Sequence, residues 1–385
     1  MTVSRLRNIP GIGVDRVGDA ADSLRDADIL RLENLDTDLR PPAAALASTH
    51  AAIDDDAANS YLPFIGQRAL REAAAARVGR SASTAYDAAS ECIVSAGGLA
   101  GILNVLLGVL EPGDEVVLTD PTYAGLINRV HLAGGVPKFA RLQPGADGWR
   151  LDPDSLAAAI GPRTKALLVM SPSMPSGYVV SHDEWRAIAE HCERHDLWLI
   201  YDAAMERILF DGREVLHPAA LPGMRERTIT VGAVSKEYRM IGWRVGWIVG
   251  PAPIMNDLRL VSLSNVVCQV GIAMPGATAA LTASDDGVAA ATAEWERRRD
   301  FMMSALADLP VIRPHGGWSM LIDTRSVGLE PPDASKLLLE HGKVAATPMT
   351  NWGPDADRYL RFVFANEAVA RLHDIRERIR RSWRT

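Results

Sequence analysis

The stretch VGAVSKEYRMIGWRVGW, Val231–Trp247, concentrates reactive side chains in an apolar, Gly- and Trp-rich setting. Lys236 follows a run that reads as a buried strand, and Arg244 comes eight residues later in a Gly-bounded segment. Lysine is scarce in this chain. Of 41 cations, 36 are Arg and five are Lys, at positions 138, 165, 236, 336 and 343. An isolated lysine is ordinarily a solvated surface group, but the neighbours of Lys236 argue against that here. A lysine in a dry site has a lowered pKa and can attack a carbonyl to form a Schiff base.

Working outward, short apolar runs alternate with helix-like segments from about residue 90 to 250. Runs near 91–94, 115–119, 136–141, 166–170, 197–201 and 228–232 read as strands. Between them, segments such as SHDEWRAIAEHCERH, Ser181–His195, read as helices, that one opening with a capping box of Ser181 and Glu184. This alternation predicts an α/β fold with a mostly parallel sheet covered by helices on both faces. The C-terminal third mixes strands and helices and reads as a smaller α+β domain. Residues 45–285 are expected to form the large domain, and 1–44 with 286–385 the small one.

The 385 residues carry a net charge of −7, which argues against nucleic acid or an anionic membrane as partner. Two uncharged runs, Ile93–Leu110 and Leu260–Ser284, are broken by Gly, Asn or Pro and lack the flanks of a membrane span, so they read as buried helices with irregular starts. The N-terminus has no apolar signal core. Three cysteines without a CxxC pair fit a reducing compartment, the cytoplasm, and no metal site is expected.

Open α/β sheets bind ligands at the C-terminal ends of their strands. Four loops stand out there. Ser95–Gly98, SAGG, offers free N–H groups before an apolar helix and suits a phosphate. Asp120–Tyr123, DPTY, places an aromatic ring at a strand end. Asp202 ends the apolar run LWLIYD, where a carboxylate needs a cationic partner. Lys236 and Arg244 make the fourth. A phosphate cradle, a ring stack, a buried acid and a Schiff-base lysine together describe pyridoxal 5′-phosphate as cofactor.

At this point the chain resembles the fold-type I PLP-dependent aminotransferases of class I/II, the aspartate-aminotransferase-like group, from about residue 30 to 380. That fold has a large domain with a seven-stranded-type sheet. SKEYRMIGWRVG is similar to the family's S-K-x-x-x-M-x-G-W-R-x-G signature. The resemblance implies Lys236 as the Schiff-base lysine and proton shuttle, and Ser235 and Arg244 at the phosphate with Gly98 and Leu99. It implies Asp202 at the pyridine nitrogen and Tyr123 stacked on the ring. Tyr61, in YLPFIGQRALREA, would reach the phosphate of a neighbouring subunit, so a homodimer with shared sites is implied. Arg361, in YLRFVFA, would grip the substrate α-carboxylate.

The departures are Met174 and Met205, where the family carries Asn and Tyr on the cofactor's phenolic oxygen, and Ala233 and Leu99, where Ser or Thr is frequent. The cofactor oxygen would either lose two neutral donors or gain substitutes from Ser173, Tyr178 or water. The implied reaction is transfer of an amino group from an L-α-amino acid to a 2-oxo acid, within amino-acid metabolism. An alternative is a same-fold lyase, eliminase or O2-dependent amino-acid oxidase, motivated by the Met pair. A non-catalytic sensor domain is a further alternative, disfavoured by the negative charge. The segment Leu32–Pro42 aligns with the family's site mouth, and its Glu33, Asp36 and Asp38 raise the question of a cationic substrate. Apart from Arg244 and Arg361, the arginines are expected to serve the solvated surface.

Overall fold

The computed structural model describes residues 3–383. Its centre is an eight-stranded sheet in the order Cys92–Ser95, Gly246–Val249, Thr228–Ala233, Trp198–Asp202, Thr164–Met170, Glu115–Asp120, Val136–Gly145, Gly148–Leu151. Four consecutive pairings, from Thr228–Ala233 out to Val136–Gly145, are parallel. Gly246–Val249 runs antiparallel to both neighbours. The eighth strand is the difference from the seven expected. The chain does not stop at Arg141 but extends to Gly145 and doubles back antiparallel over Gly148–Leu151. The strands in the middle are buried along their whole length, which is why their sequences are unbroken apolar runs rather than alternating ones.

Helices Gly98–Val109, Ala124–Leu132 and Ala252–Val266 supply Ile102, Leu106, Leu126 and Leu258 to one sheet face. The opposite face packs against His182–Arg194, through Trp185 and Ile188, and against Arg68–Ser81, through Leu70 and Val78. Burying one such aliphatic side chain contributes about 1.5–3 kcal/mol. A four-stranded antiparallel sheet, Val311–Ile312, Ser319–Asp323, Tyr359–Val363 and Thr347–Pro348, follows in the C-terminal third. The N-terminal segment joins it: Leu30–Arg31 pairs in parallel with Val344–Ala345, and Val363 N–H donates to the Leu32 carbonyl at 2.9 Å.

Two expectations need correction. The run Leu260–Ser284 is not one buried helix. Ala252–Val266 and Gly271–Thr282 meet at a bend of 117°, and Leu260, Val267 and Val270 remain 64%, 43% and 52% exposed. Among the described residues, no single helix is long and apolar enough to cross a membrane. Nor do the other arginines all serve the surface. Arg77, Arg298, Arg299 and Arg378 are buried and cross-link elements far apart in sequence, for example Arg77 with Glu206 and Glu237, and Arg299 with Asp211. Guanidinium tolerates such sites because its five donors can be satisfied at once by carboxylates and carbonyls.

The helix His182–Arg194 begins as its sequence predicts. Ser181 Oγ accepts from Glu184 N–H, and Glu184 Oε2 accepts from Ser181 N–H at 2.7 Å. The same carboxylate accepts Leu151 N–H through Oε1, so the cap also fixes the edge strand. Ser181→Ala is expected to lower unfolding free energy by about 1 kcal/mol, read as a shift in the denaturant midpoint at unchanged slope.

Candidate active site

The parallel strands deliver Ser95, Asp120, Met170, Asp202 and Ala233 to one edge of the sheet. A cavity of about 250 Å³ opens there, lined among others by Gly98, Leu99, Tyr123, Met174, Asp202, Ser235, Lys236, Arg244 and Arg361. Residues separated by more than 260 positions in the sequence thus converge.

At one end the turn before helix Gly98–Val109 meets Arg244. Gly97 has φ +84°, and a Cβ there would lie 2.5 Å from Arg244 Nη2. Glycine is therefore required both by the backbone and by the approach of the guanidinium. Arg244 Nη1 donates to Ser235 Oγ at 3.3 Å and to the Ile241 carbonyl at 3.0 Å. Helix N–H groups, a hydroxyl and a guanidinium make an anion seat.

Asp202, 4% exposed, accepts Ala204 N–H at 3.1 Å through Oδ1. Burial pushes its carboxyl up to about 6, against the pull of Arg129 and Lys236. Lys236 Nζ donates to the Leu35 carbonyl at 2.7 Å and lies 4.9 Å from the centre of the Trp318 ring. Burial pushes the amine down to about 7, opposed by Asp36 and assisted by Arg361 and Arg244. Near neutral pH a large share of it is a free-base nucleophile. The Tyr123 ring lies 5.3 Å from that of Trp352 and folds back over Gly125, where a Cβ would meet it at 2.4 Å.

Arg361 is 1% exposed. Its Nη1 donates to Met174 Sδ at 3.4 Å, its Nη2 to the Glu33 carbonyl and Thr347 Oγ1, and its Nε has no partner. The guanidinium sits 4.8 Å from the Trp352 ring centre. Burial lowers its pKa to about 10. Among the described residues no carboxylate pairs with Arg361 or Arg244. Two guanidinia that lack an anion, in one cavity with a free-base amine and a buried acid, fit a phosphorylated aldehyde cofactor and a carboxylate substrate.

Some expected residues lie elsewhere. Met205 is 1% exposed and packs near Gly317, outside the cavity lining, where Ala204 stands instead. Ser173 and Tyr178, expected as substitute donors, hold buried hydroxyls without partners but do not line the cavity. Tyr61 is 83% exposed and outside it. Of the mouth acids, Glu33 pairs with Arg31 and Asp38 with Arg298, while Asp36 accepts only the adjacent Thr37 N–H and its charge acts on Lys236. The structure adds Ile12, Val14, Asn34 and Leu35 to the cavity wall, and Trp352 and Arg129 behind it. Arg129 bridges the Leu99 and Gly125 carbonyls, each at 2.8 Å. Asn34 and Leu35 fall within Leu32–Pro42, the segment expected at the site mouth, whereas Ile12 and Val14 belong to no motif and only the fold brings them there.

This architecture and site define a fold-type I PLP-dependent enzyme. Residues 31–379 match the model of the family described as aminotransferase class I and II, and the chain belongs to that family. It is 36% identical to an arginine–pyruvate transaminase of Pseudomonas aeruginosa over 341 residues, 87% of this chain and 85% of the relative. It is 33% identical to a probable N-succinyldiaminopimelate aminotransferase of Mycobacterium tuberculosis, covering 83% and 86%. The solved N-succinyldiaminopimelate aminotransferase from M. tuberculosis superposes with a TM-score of 0.91 at 31% identity, covering 98% of this chain and 99% of that one. Aspartate aminotransferase from Thermus thermophilus with maleate gives 0.91 at 29% identity, covering 99% of each. The chain is a PLP-dependent aminotransferase that moves an amino group from an amino acid to a 2-oxo acid. The lyase or oxidase alternative gains no support from these relatives.

The two perturbed groups make the stability of the cofactor-free protein pH-dependent. Lys236 ionises near 7 when folded but near 10.5 when unfolded, so its destabilising effect is complete below pH 7 and disappears as pH rises to 10.5. Asp202 has the opposite sign. Its folded value near 6, against 3.8 unfolded, gives stability that is present below pH 3.8 and lost by pH 6. Lys236→Met should therefore raise the Tm of cofactor-free protein at pH 6–7, with the gain vanishing toward pH 10.5. A gain independent of pH would refute the buried-amine account.

Proposed function

We propose that Lys236 is the residue that binds pyridoxal 5′-phosphate covalently and moves the proton at the substrate Cα. The observation that carries this is the placement of its depressed amine between two carboxylate-free arginines, Arg244 and Arg361. In this reading Arg244, Ser235 and the Gly97–Gly98 turn hold the phosphate, with Leu99 beside them. Tyr123 stacks on the ring and Asp202 faces its nitrogen. Arg361 binds the α-carboxylate bidentately. The bound cofactor supplies the electron sink for the pair left when Cα loses its proton. Once displaced by the substrate amine, Lys236 Nζ is free to take that proton as base and return it as acid.

We also propose a homodimer with shared sites. Tyr61, Phe64, Leu260, Val267 and Val270 are exposed apolar side chains from three segments. Gly271 packs against Ala58 and Leu62, and Asn265 bonds Asn104 at 3.0 Å, which draws those segments together. An apolar surface of this kind is suited to a second copy. The division into residues 45–285 and residues 1–44 with 286–385 is supported by the Leu30–Arg31 pairing with Val344–Ala345. Three free thiols favour a reducing compartment, the cytoplasm.

Borohydride should fix the cofactor to Lys236, seen as a mass increase on its peptide. Lys236→Ala should abolish both the adduct and turnover, and an adduct that persists in this variant would refute the assignment. Arg361→Lys should raise KM for the amino acid about 100-fold, because a point charge replaces a planar fork. Val267→Asp should convert a dimer into a monomer by light scattering, and a monomeric parent protein would refute the shared site.

A further inference from the structure

The charged side chains that line the cavity are Asp202, Lys236, Arg244 and Arg361. In the reading above, on which this inference rests, all four are committed to the cofactor or to the α-carboxylate. The remaining wall toward the mouth is formed by Ile12, Val14, Leu35, Ile241 and Met174, with Asn34 as its polar member. Among the described residues that line this wall, none is a second cation for a distal carboxylate and none is an acid for a distal cation.

The acids of the mouth segment do not fill that gap. Glu33 is fully buried, and its Oε1 lies 2.6 Å from Arg31 Nη2. Asp38 Oδ1 lies 2.8 Å from Arg298 Nη1. Asp36 Oδ1 accepts Thr37 N–H at 2.7 Å and its charge acts on the Lys236 amine, and none of the three lines the cavity. The surface around Tyr61 and Phe64, through which a second copy would approach, mixes apolar side chains with the exposed Asp54, Asp55, Asp56 and Arg68, and the subsite wall is the one this protomer supplies.

We propose that the side-chain subsite takes an uncharged, apolar amino acid as donor. A distal carboxylate or guanidinium would leave water without a counter-charge, which is strongly unfavourable. Each methylene entering the same wall is favourable. The mouth segment also explains how the subsite keeps its shape. Trp352 Nε1 donates to the Ile12 carbonyl at 3.0 Å, and Lys236 Nζ to the Leu35 carbonyl at 2.7 Å, so two of the apolar residues are tied to the catalytic frame by their backbone.

The test uses holoenzyme and three 2-methyl amino acids, which bind but have no Cα proton to lose. Dissociation constants for 2-methylleucine, 2-methylaspartate and 2-methylarginine are read from the absorbance of the bound cofactor and from ligand-induced Tm shifts. The leucine analogue is expected to bind about 30-fold more tightly than either charged one. Val14→Asp should weaken the leucine analogue and strengthen the arginine analogue; if that variant does not fold, the comparison on the parent protein decides alone. A charged analogue that binds as well as the leucine analogue overturns the proposal. Failure of all three to bind, in protein that borohydride still fixes at Lys236, also overturns it and leaves the lysine assignment standing. Failure of borohydride to fix Lys236 overturns both.

Discussion

The hydrogen bond from Lys236 Nζ to the Leu35 carbonyl, 2.7 Å long, joins two parts of the chain that meet nowhere in sequence. Lys236 lies three residues beyond the central strand Thr228–Ala233. Leu35 belongs to the segment whose earlier residues pair with Val344–Ala345 and whose Glu33 carbonyl receives Arg361. One short segment therefore contacts both the Lys236 amine and the Arg361 guanidinium. Its register is set by backbone hydrogen bonds, not by long flexible side chains. This is the kind of support that holds reactive groups to small tolerances. Displacing the segment by one residue would misplace both groups together.

The site is also a solution to a charge problem. Asp202, Lys236 and Arg361 are each driven toward neutrality by burial, and their mutual attractions do not overcome it. Such a cluster is stable only because the surrounding fold is firmly held. Behind the lysine, Arg77 pairs with Glu206 and Glu237, Arg207 with Glu237 and Asp286, and Arg239 donates to the Arg40 and Asp286 carbonyls. Paired charges thus surround unpaired ones. Three of the 36 arginines, Arg77, Arg207 and Arg239, make up this framework.

The sheet and its strand ends were legible because parallel strands buried on both faces must be continuous apolar runs, as LWLIY at Leu197–Tyr201 is. Lys236 was legible because a charge inside such a context has no bland explanation. The doubled edge at Gly145–Gly148 was not, since Arg141–Arg150 alternates polar and apolar residues weakly and a hairpin depends on its turn. The cavity mouth was only partly legible, for a different reason. Leu35 lies in the segment Leu32–Pro42 expected there, but Ile12 and Val14 are ordinary apolar residues that only the folded chain brings to the cavity, Ile12 through its bond from Trp352. Met205 shows the limit of carrying a role across by position, since its side chain is buried outside the cavity lining.

Met174 carries the argument one step further. Its sulfur accepts an N–H of Arg361 at 3.4 Å. A thioether is a weak acceptor and never a donor. An amide at this place would offer both a stronger acceptor to Arg361 and a donor to the cavity. The methionine offers neither, so the bond that Nη1 makes to it is weak, Nε stays unpaired, and the wall beside them stays apolar. Unsatisfied capacity in a dry site strengthens whatever anion completes it. The departure at Met174 is therefore consistent with the proposed substrate, one held by its α-carboxylate and admitted by an uncharged side chain.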